Sequence, residues 1–363
     1  MPEFPDGYPA AWETDALLKD GATVRIRPIR PDDADRMRRF HSRQSQESIY
    51  FRYFRYRPEL SEKEVTYFTT IDYLKRMAFI ALLGDEMVAV SRYEGESATD
   101  NTAEVAFFVD DAHHGRGLAT LMLEYLAERA REVGITTFSA TVLSENYRML
   151  GVFKSAGFDV STKFDDGAIS VTLGIADRSR AQAAIDSREQ QARSQAVARF
   201  FAPESVAVVG AGRSPGSVGH ELLRSILDGG FTGSVTAVNP RATESILGVT
   251  TVASVGELNG AVDLAIIALP AEGVFHSVEE CITAGVKAVV VISAGFTDQE
   301  VEGRERLARL VRLVRDGGIR LVGPLSYGIV NTDPEVSLRA HFLPVDVPSG
   351  DVGLLSQSGP LGA

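Results

Sequence analysis

Apolar and polar positions follow different patterns in the two halves of this chain. In the first half, short apolar or alternating runs predict strands, and apolar residues three or four positions apart predict helices between them. The predicted strands cover residues 24–28, 77–83, 86–93, 103–109, 136–143 and 169–175. Helices are predicted to begin near Pro31, Ser61, Leu118 and Asn146. This alternation indicates an α/β domain.

From residue 205 the pattern changes to a regular succession of short apolar strands and longer helical segments. The predicted strands are 205–209, 235–238, 264–269, 288–292 and 320–322. This spacing predicts a Rossmann-like, doubly wound parallel sheet. Each of these strands ends in glycine, proline, asparagine or serine, and such sheets bind ligands outside the carboxyl ends of their strands.

The segment between the two halves predicts a domain boundary. Residues 177–198 are polar and rich in helix formers, so we expect a solvent-exposed helical linker. A length of 363 residues also favours more than one domain. The predicted organisation is an N-terminal extension (1–20, loosely ordered up to Leu17), a first domain (21–176), the linker, a second domain (199–345) and the start of a truncated next domain (346–363).

Composition restricts the possible partners. The net charge of −12 argues against general binding to nucleic acid, because phosphate would be repelled at long range. The single cysteine, Cys281, excludes an internal disulfide and a cysteine-based zinc cluster, and we expect it to be buried in a helix. No signal peptide or apolar run of membrane-spanning length is apparent. We therefore expect a cytoplasmic protein without a membrane partner or a metal.

One stretch in the first half, residues 107–120, carries candidate chemistry. An apolar strand is followed by a turn and then by Gly115-Arg-Gly-Leu-Ala119, which opens a helix. Gly115 and Gly117 permit a tight turn, so that successive amides and the positive end of the helix dipole can form an anion site. Arg116 can add a charged contact. The alternative is an ordinary glycine-rich turn between a strand and a helix.

These residues resemble the pyrophosphate loop of the GNAT acetyltransferases, Gln/Arg-x-x-Gly-x-Gly/Ala, with His114 in place of the usual first residue. Asn146, followed by a helix that ends at Gly157-Phe158, resembles the last motif of that family. The resemblance implies a GNAT fold, a mixed sheet flanked by helices, that binds acetyl-CoA or another short acyl-CoA. The implied binding residues are Phe107, Val109, Gly115, Arg116, Gly117, Leu118, Ala119, Thr120 and Asn146, although Asn146 is equally suited to cap a helix.

Glu104 is the candidate general base. Acetyl transfer to a lysine needs a neutral amine, and at neutral pH only about one lysine in a thousand is neutral. A carboxylate beside the thioester can remove the proton. Glu104 lies among apolar residues in the strand before the loop, where we expect desolvation to favour its action as a base. The alternative is a solvent-facing glutamate on an alternating strand. Many GNAT enzymes have a tyrosine acid where this chain has Phe153, so we expect the thiolate to take its proton from water or from the amine.

The loop at residues 210–216, Gly-Ala-Gly-Arg-Ser-Pro-Gly, partly matches two other motifs. A dinucleotide fingerprint would need a glycine where Pro215 stands and an acid where Asn239 stands, which disfavours NAD. A hydrolase nucleophile elbow would need a backbone N–H on the residue after Ser214, and Pro215 has none. We therefore expect neither an NAD site nor a serine hydrolase.

Residues 199–363 resemble instead the CoA-binding domain of the NDP-forming acyl-CoA synthetases and succinyl-CoA synthetase. The match rests on 201–212, Ser217-Val-Gly219, Val238-Asn-Pro240, Ala268-Leu-Pro270 and 292–296. The resemblance implies a second site, for CoA or acyl-CoA, formed by Gly210, Ala211, Gly212, Arg213, Val218, Gly219, Asn239, Pro240, Pro270, Ser293, Ala294 and Gly295. The family's usual Gly-Pro-Asn-Cys-Leu-Gly is replaced here by residues 323–328, and its phosphorylated histidine is not found. We therefore expect a sensor or structural module without ligation activity.

A GNAT domain fused to such a module resembles the bacterial protein lysine acetyltransferases of the Pat type, in a minority domain order. That resemblance implies that Glu104 is the base and that the acceptor is a protein lysine, with acyl-CoA-forming synthetases among the substrates. Asp72 can attract the acceptor lysine, or it is a plain surface acid. Three alternatives stay open: a small-amine acetyltransferase, an acyl-CoA synthetase with a regulatory GNAT domain, and a non-catalytic acyl-CoA sensor.

Overall fold

The computed structural model describes residues 4–95, 101–241, 244–258, 262–296, 301–345, 347–350 and 352–356. The chain forms two compact units, Met1–Arg193 and Ser194–Ala363. The division falls within the predicted linker. The predicted start of a further domain, residues 346–363, lies partly outside the described residues.

The first unit is built on one mixed sheet, whose order in the described residues is β1-β2-β3-β4-β5-β6-β8-β7. The β5–β6 pair is parallel and the other neighbouring pairs are antiparallel. The strands are β1 Thr14–Leu17, β2 Thr23–Pro28, β3 Arg76–Leu83, β4 Glu86–Gly95, β5 Thr102–Val109, β6 Thr137–Leu143, β7 Asp159–Asp165 and β8 Ala168–Gly174. The helices are α1 Ala34–Ser42, α2 Gln46–Tyr53, α3 Glu62–Thr69, α4 Leu118–Glu132, α5 Tyr147–Ser155 and the start of α6 Arg178–Phe201.

Helices cover both faces of this sheet. On one face, α4 buries Leu118, Met122 and Leu126 at helical spacing, and Phe153 of α5 joins the same core. On the other face, α1 and α2 pack apolar side chains such as Phe40 against the sheet. The mixed sheet flanked by helices that the resemblance implied is therefore confirmed.

The expectation of a loosely ordered segment up to Leu17 is wrong. Residues Thr14–Leu17 pair with β2 as an antiparallel edge strand. Trp12 lies 5.6 Å, between ring centroids, from Phe79, and Leu18 is fully buried. Prolines at positions 2, 5 and 9 suggested disorder, but aromatic packing against the sheet orders this segment.

The linker is helical, as predicted, but it is not exposed along its whole length. Ala181, Ala192, Ala196 and Phe200 of α6 are buried. Alanines spaced along one side of a helix allow close packing, although they contribute little apolar surface each. A low apolar content therefore led to an underestimate of the burial of this helix.

The second unit contains a parallel sheet with the order β11-β10-β9-β12-β13-β14 in its described part. Its helices lie on both faces, α7 on one and α8 and α9 on the other, which confirms the predicted doubly wound sheet. A hairpin of β15 and β16 follows. The elements are β9 Ser205–Val209, α7 Val218–Asp228, β10 Ser234–Val238, β11 Thr251–Val252, β12 Leu264–Ile267, α8 Ala271–Thr283, β13 Ala288–Val291, α9 Val301–Asp316, β14 Arg320–Val322, β15 Gly328–Asn331 and β16 Leu338–His341.

The structure describes two features that bear on the composition-based expectations: the burial of the cysteine and the apolar character of the helices. Cys281 of α8 is fully buried, and this burial raises the pKa of its thiol to about 12. Among the described helices, none combines the length and the apolar character that crossing a bilayer requires.

Candidate active site

Strands β5 and β6 separate at Glu104. Their parallel pairing covers only Thr102–Glu104 opposite Thr137–Ser139. Beyond this point β5 continues along β4, and β6 continues along β8. The edge of β5 from Val105 to Val109 is consequently left without pairing to β6. Backbone N–H and C=O groups on such an edge are available to an extended ligand.

An open cleft of ≈ 1710 Å³ occupies this region of the first unit. Its volume exceeds the roughly 300–1,000 Å³ of typical small-molecule pockets, which leaves room for a ligand as long as CoA. The predicted base and all of the predicted acetyl-CoA residues except Arg116 line it: Glu104, Phe107, Val109, Gly115, Gly117, Leu118, Ala119, Thr120 and Asn146. Folding thus brings the two predicted parts of the site into one cavity.

The glycine loop has the geometry of an anion site. Gly115 and Gly117 have φ values of 79° and 86°, in the left-handed region that favours glycine. A Cβ at Gly115 would meet nothing within 4 Å, so glycine is favoured there by the backbone conformation and not by lack of space. Helix α4 begins at Leu118, and its first N–H groups have no acceptor within the helix. These amides fit the pyrophosphate of CoA.

Arg116 does not point into the cleft with its neighbours. Its Nε donates to Oδ2 of Asp20 at 2.8 Å, and its Nη1 lies 2.8 Å from Nδ1 of His113. The Arg116 carbonyl also accepts the N–H of Lys19 at 3.1 Å. The side chain therefore ties the loop to the β1–β2 turn.

His114 connects the loop to α5. Its Nε2 lies 3.0 Å from the carbonyl oxygen of Val109, and its Nδ1 lies 3.0 Å from Nη1 of Arg148. Arg148 is exposed and lines the cleft. Sequence reasoning missed Arg148, although it stands two residues after Asn146 within the last GNAT-like motif.

Asp111, also missed, connects the same loop to α2. It accepts the N–H of Ser45 at 2.6 Å and the hydroxyl of Ser48. Burial opposes ionisation of Asp111, but the hydrogen bonds from Ser48 and Ser45 outweigh it and hold the pKa of this carboxyl below its usual value. Asp111 thereby fixes the first turn of the helix whose residues Phe51 and Arg52 line the cleft.

Glu104 is exposed to solvent in the cleft, so the expected desolvation of its carboxylate is wrong. Glu94 lies directly opposite it on β4. The Glu94 carboxylate accepts the hydroxyl of Tyr67 at 2.6 Å and Nη1 of Arg92 at 3.2 Å. Burial and the nearby Arg52 together lower the pKa of Arg92 to about 10, although Glu94 opposes them. Of the two opposed carboxylates, Glu94 is thus engaged within the protein, and Glu104 faces the cleft.

Two other predicted residues have structural roles. Oδ1 of Asp72 accepts the N–H groups of Leu74, Lys75 and Arg76 at 2.8–2.9 Å, which holds the turn before β3. Asp72 is exposed but does not line the cleft. Oδ1 of Asn146 accepts the N–H of Met149 at 3.1 Å and so caps α5.

Phe153 is fully buried, with its ring centroid 6.0 Å from that of Phe107. An aromatic contact thus stands where many GNAT enzymes place a tyrosine. It offers no proton to a leaving thiolate.

In the second unit, the predicted CoA residues follow the carboxyl ends of adjacent parallel strands. Oδ1 of Asn239 accepts the N–H of Arg241 at 2.9 Å, while its Nδ2 donates to the carbonyl of Ala211 at 2.5 Å. A Cβ on Gly219 would lie 2.1 Å from the carbonyl oxygen of Gly210, so only glycine permits α7 to approach the loop this closely. This backbone contact holds the glycine loop after β9 at the carboxyl edge of the sheet.

The hydroxyl of Ser293, after β13, is buried and has no hydrogen-bond partner among the described atoms. An orphaned buried hydroxyl at this edge fits a polar ligand. Arg213 is paired with Glu244 at 3.3 Å. Ala211 is fully buried and accepts a hydrogen bond from Asn239, so the structure does not expose it to a ligand. The other predicted residues lie along the same edge: Gly212, Val218, Pro240, Pro270, Ala294 and Gly295.

Comparison with known proteins finds a known domain in each of the two units. The sequence profile of the acetyltransferase (GNAT) domain matches residues 23–159, and that of the CoA binding domain matches residues 204–332. The chain is 30% identical over 145 residues to an acetyltransferase of Pseudomonas aeruginosa, of which it covers 77%. The chain belongs to the GNAT acetyltransferases. The protein therefore combines a GNAT acetyltransferase domain with a CoA-binding domain.

This GNAT protein is also similar to the crystal structure of the GNAT domain of S. lividans PAT, at 43% identity and a TM-score of 0.44, over 46% of this chain and 99% of that one. A second relative is the alpha subunit of acetate–CoA ligase (ADP-forming) I of Pyrococcus furiosus, 38% identical over 166 residues. That match covers 45% of this chain and 36% of the subunit. The GNAT protein thus spans about a third of the length of this ligase subunit.

Proposed function

We propose that this GNAT protein transfers acetyl from acetyl-CoA to a lysine of a protein substrate, an acyl-CoA-forming synthetase. One observation carries the proposal: Glu104 lies where β5 and β6 separate, in the same cleft as the glycine loop. A base within β5 and an anion site in the loop that follows this strand can hold the two ends of a reaction between a long thioester and an incoming amine.

In this proposal the loop amides hold the pyrophosphate, and the unpaired edge of β5 holds the pantetheine arm and polarises the thioester carbonyl. Glu104 removes a proton from the lysine ammonium, directly or through water, so that the neutral amine can attack the carbonyl carbon. The C–N bond forms and the C–S bond breaks. The thiolate takes a proton from water or from the amine, because Phe153 has none to give. The exposure of Glu104 lets it return its proton to solvent.

The rim of the cleft favours a protein acceptor over a small amine. Phe54 and Tyr147 line the cleft and are 43% and 77% exposed. Aromatic side chains are enriched at protein–protein interfaces relative to the rest of a protein surface. A small-amine enzyme would instead enclose its acceptor in a narrow pocket.

For the second domain we propose that CoA or an acyl-CoA binds at the carboxyl edge of its sheet, as a sensor. The unpartnered hydroxyl of Ser293 and the close contact of Gly219 with Gly210 support this placement. Backbone N–H groups at this edge suit the phosphates of such a ligand.

The test is transfer of labelled acetyl from acetyl-CoA to a purified CoA-ligating synthetase. We expect label on one lysine of the synthetase. Glu104→Gln should lower kcat by at least about 100-fold, because general base catalysis contributes that much, while the KM for acetyl-CoA changes by less than about twofold. The matched control is Glu145→Gln, which removes another exposed glutamate of the same cleft.

Three outcomes would contradict parts of the proposal. Unchanged transfer by Glu104→Gln would exclude Glu104 as the base. Turnover of small amines without labelled synthetase would make the protein a small-amine acetyltransferase. CoA binding without transfer to either acceptor would leave a non-catalytic sensor.

A further inference from the structure

The loop that is proposed to bind pyrophosphate lacks the arginine that the sequence suggested for it. Arg116 is hydrogen-bonded to Asp20 and to His113, and it does not line the cleft. Backbone amides carry only partial charges. If Arg116 were the only candidate, the proposed pyrophosphate site would therefore lack a full positive charge.

Among the described residues, two exposed cations of the cleft lie beside this loop: Lys19, which contacts Gly117, and Arg148. Arg148 is the second residue of α5, it is exposed, and it lines the same cleft as Gly115 and Gly117. Its Nη1 lies 3.0 Å from Nδ1 of His114, the residue that precedes the first of these glycines. Its guanidinium is thus held beside the loop, with its other N–H groups available.

The hydrogen bonds of His114 explain how Arg148 is held there. Nε2 of His114 lies 3.0 Å from the carbonyl oxygen of Val109, which can only accept, so Nε2 carries the proton. Nδ1 is then the acceptor, and Arg148 can donate to it. A Gln or Arg, the usual residue at this position of the motif, would not present the same fixed ring acceptor to an arginine.

We propose that Arg148, oriented by His114, supplies the charged contact to the pyrophosphate of acetyl-CoA that Arg116 does not supply. A guanidinium presents parallel N–H groups that match phosphate oxygens. The inference rests on the proposed binding of acetyl-CoA in the first cleft. It assigns to α5 a part in cofactor binding besides the helix cap of Asn146.

The experiment is calorimetric titration of the full chain with CoA. We expect two classes of binding site, one in the first cleft and one in the second domain. Substitution of Arg148 should change the affinity of the first-cleft class only. Arg148→Gln should weaken that class about tenfold, the equivalent of about 1.4 kcal/mol. Arg148→Lys should weaken it less, because the charge is kept. The matched control, Lys154→Gln, removes an exposed cation of the same helix that does not line the cleft and should change the affinity by less than about twofold.

Two further variants test the arrangement. Arg116→Gln should weaken binding far less than Arg148→Gln. His114→Ala should weaken CoA binding in the wild-type background but not in the Arg148→Gln background, because the effects of two residues that act through one contact are not additive. Titration with dephospho-CoA identifies the phosphate: a contact to pyrophosphate predicts that Arg148→Gln weakens CoA and dephospho-CoA by the same factor. A loss confined to CoA would place Arg148 at the ribose 3′-phosphate and overturn the assignment.

The proposal is also overturned if Arg148→Gln binds CoA like the wild type, if Lys154→Gln weakens binding equally, or if the wild type binds no CoA. Failure of the proposed function is distinguishable. If the wild type binds CoA through Arg148 but transfers no acetyl to any acceptor, the acetyltransferase proposal fails and the assignment of Arg148 stands.

Discussion

An ion pair between Arg188 and Glu124 of α4 joins the first part of α6 to the rest of the first unit. Nη2 of Arg188 contacts Oε1 of Glu124, and Nη1 donates to the carbonyl of Ser155 at 3.0 Å. The two side chains are 31% and 11% exposed. Burial raises the pKa of Glu124, and the charge of Arg188 opposes that rise. Arg188→Gln would leave a mostly buried carboxylate without its counter-ion.

The cost follows from the burial of the pair. Breaking a fully buried ion pair costs about 3–5 kcal/mol, and an exposed pair contributes about 0–1 kcal/mol. Since Glu124 is mostly buried and Arg188 is partly exposed, we expect the free energy of unfolding of the first unit to fall by about 2–3 kcal/mol at neutral pH. A carboxyl with a raised pKa destabilises the fold as pH rises above its ordinary value of about 4.3. Protonation of Glu124 in acid should therefore remove most of the difference between variant and wild type.

The single tryptophan of the chain provides the assay. Trp12 packs against Phe79 and Tyr125 within the first unit, so its fluorescence during urea unfolding reports on that unit alone. The matched control is Arg193→Gln, which breaks the exposed pair of the same helix with Glu189, where the side chains are 69% and 53% exposed. We expect the control to change the stability by less than about 0.5 kcal/mol.

Two results would refute the reasoning. An unchanged midpoint for Arg188→Gln would mean that the pair does not stabilise the docked helix. A loss of the same size at pH 4 and at pH 8 would mean that the substitution acts through packing and not through the charge of Glu124.

Further predictions concern the glycine contact and the loop carboxylate. Gly219→Ala should destabilise the second unit by at least about 2 kcal/mol in urea unfolding followed by circular dichroism, because its Cβ would clash with the backbone of Gly210, while the Trp12 transition stays unchanged. Gly212→Ala, whose Cβ would first meet Ser217 at 3.7 Å, is the stability control. Asp111→Asn should speed amide exchange in α2 at pH 7. A carboxyl whose pKa is lowered by folding contributes stability that is fully present above its ordinary pKa of about 3.9 and is lost as pH falls through the lowered pKa, so the difference should shrink in acid below that ordinary value; equal exchange at pH 7 would contradict the cap.

Local features of the fold and site followed from the sequence. The strands were predictable because apolar periodicity is a local signal, as at β5. The glycine loop was predictable because the positive φ values of Gly115 and Gly117 need residues of that type. The edge strand β7 was missed because it is mostly polar and lacks a continuous apolar run.

Contacts between distant segments could not be predicted in the same way. The partner of Arg116 is Asp20, which lies 96 positions earlier in the chain. Without that contact, Arg116 was the obvious cation of the loop and Arg148 was not considered. Glu104 is a second example: alternation places it on one face of β5, but whether that face is covered or exposed at position 104 depends on packing between distant segments. The pattern of a strand does not contain this information.

The direction in which Glu104 points is set by apolar residues that take no part in chemistry. Its neighbours Ala103 and Val105 are buried in the core on the other face of β5. A slip of one residue in the β4–β5 pairing would exchange the two faces, driving the carboxylate into that core and two apolar side chains into water. A form with the wrong register is therefore destabilised by both changes. The packing of Ala103 and Val105 thus also fixes the direction of the proposed base.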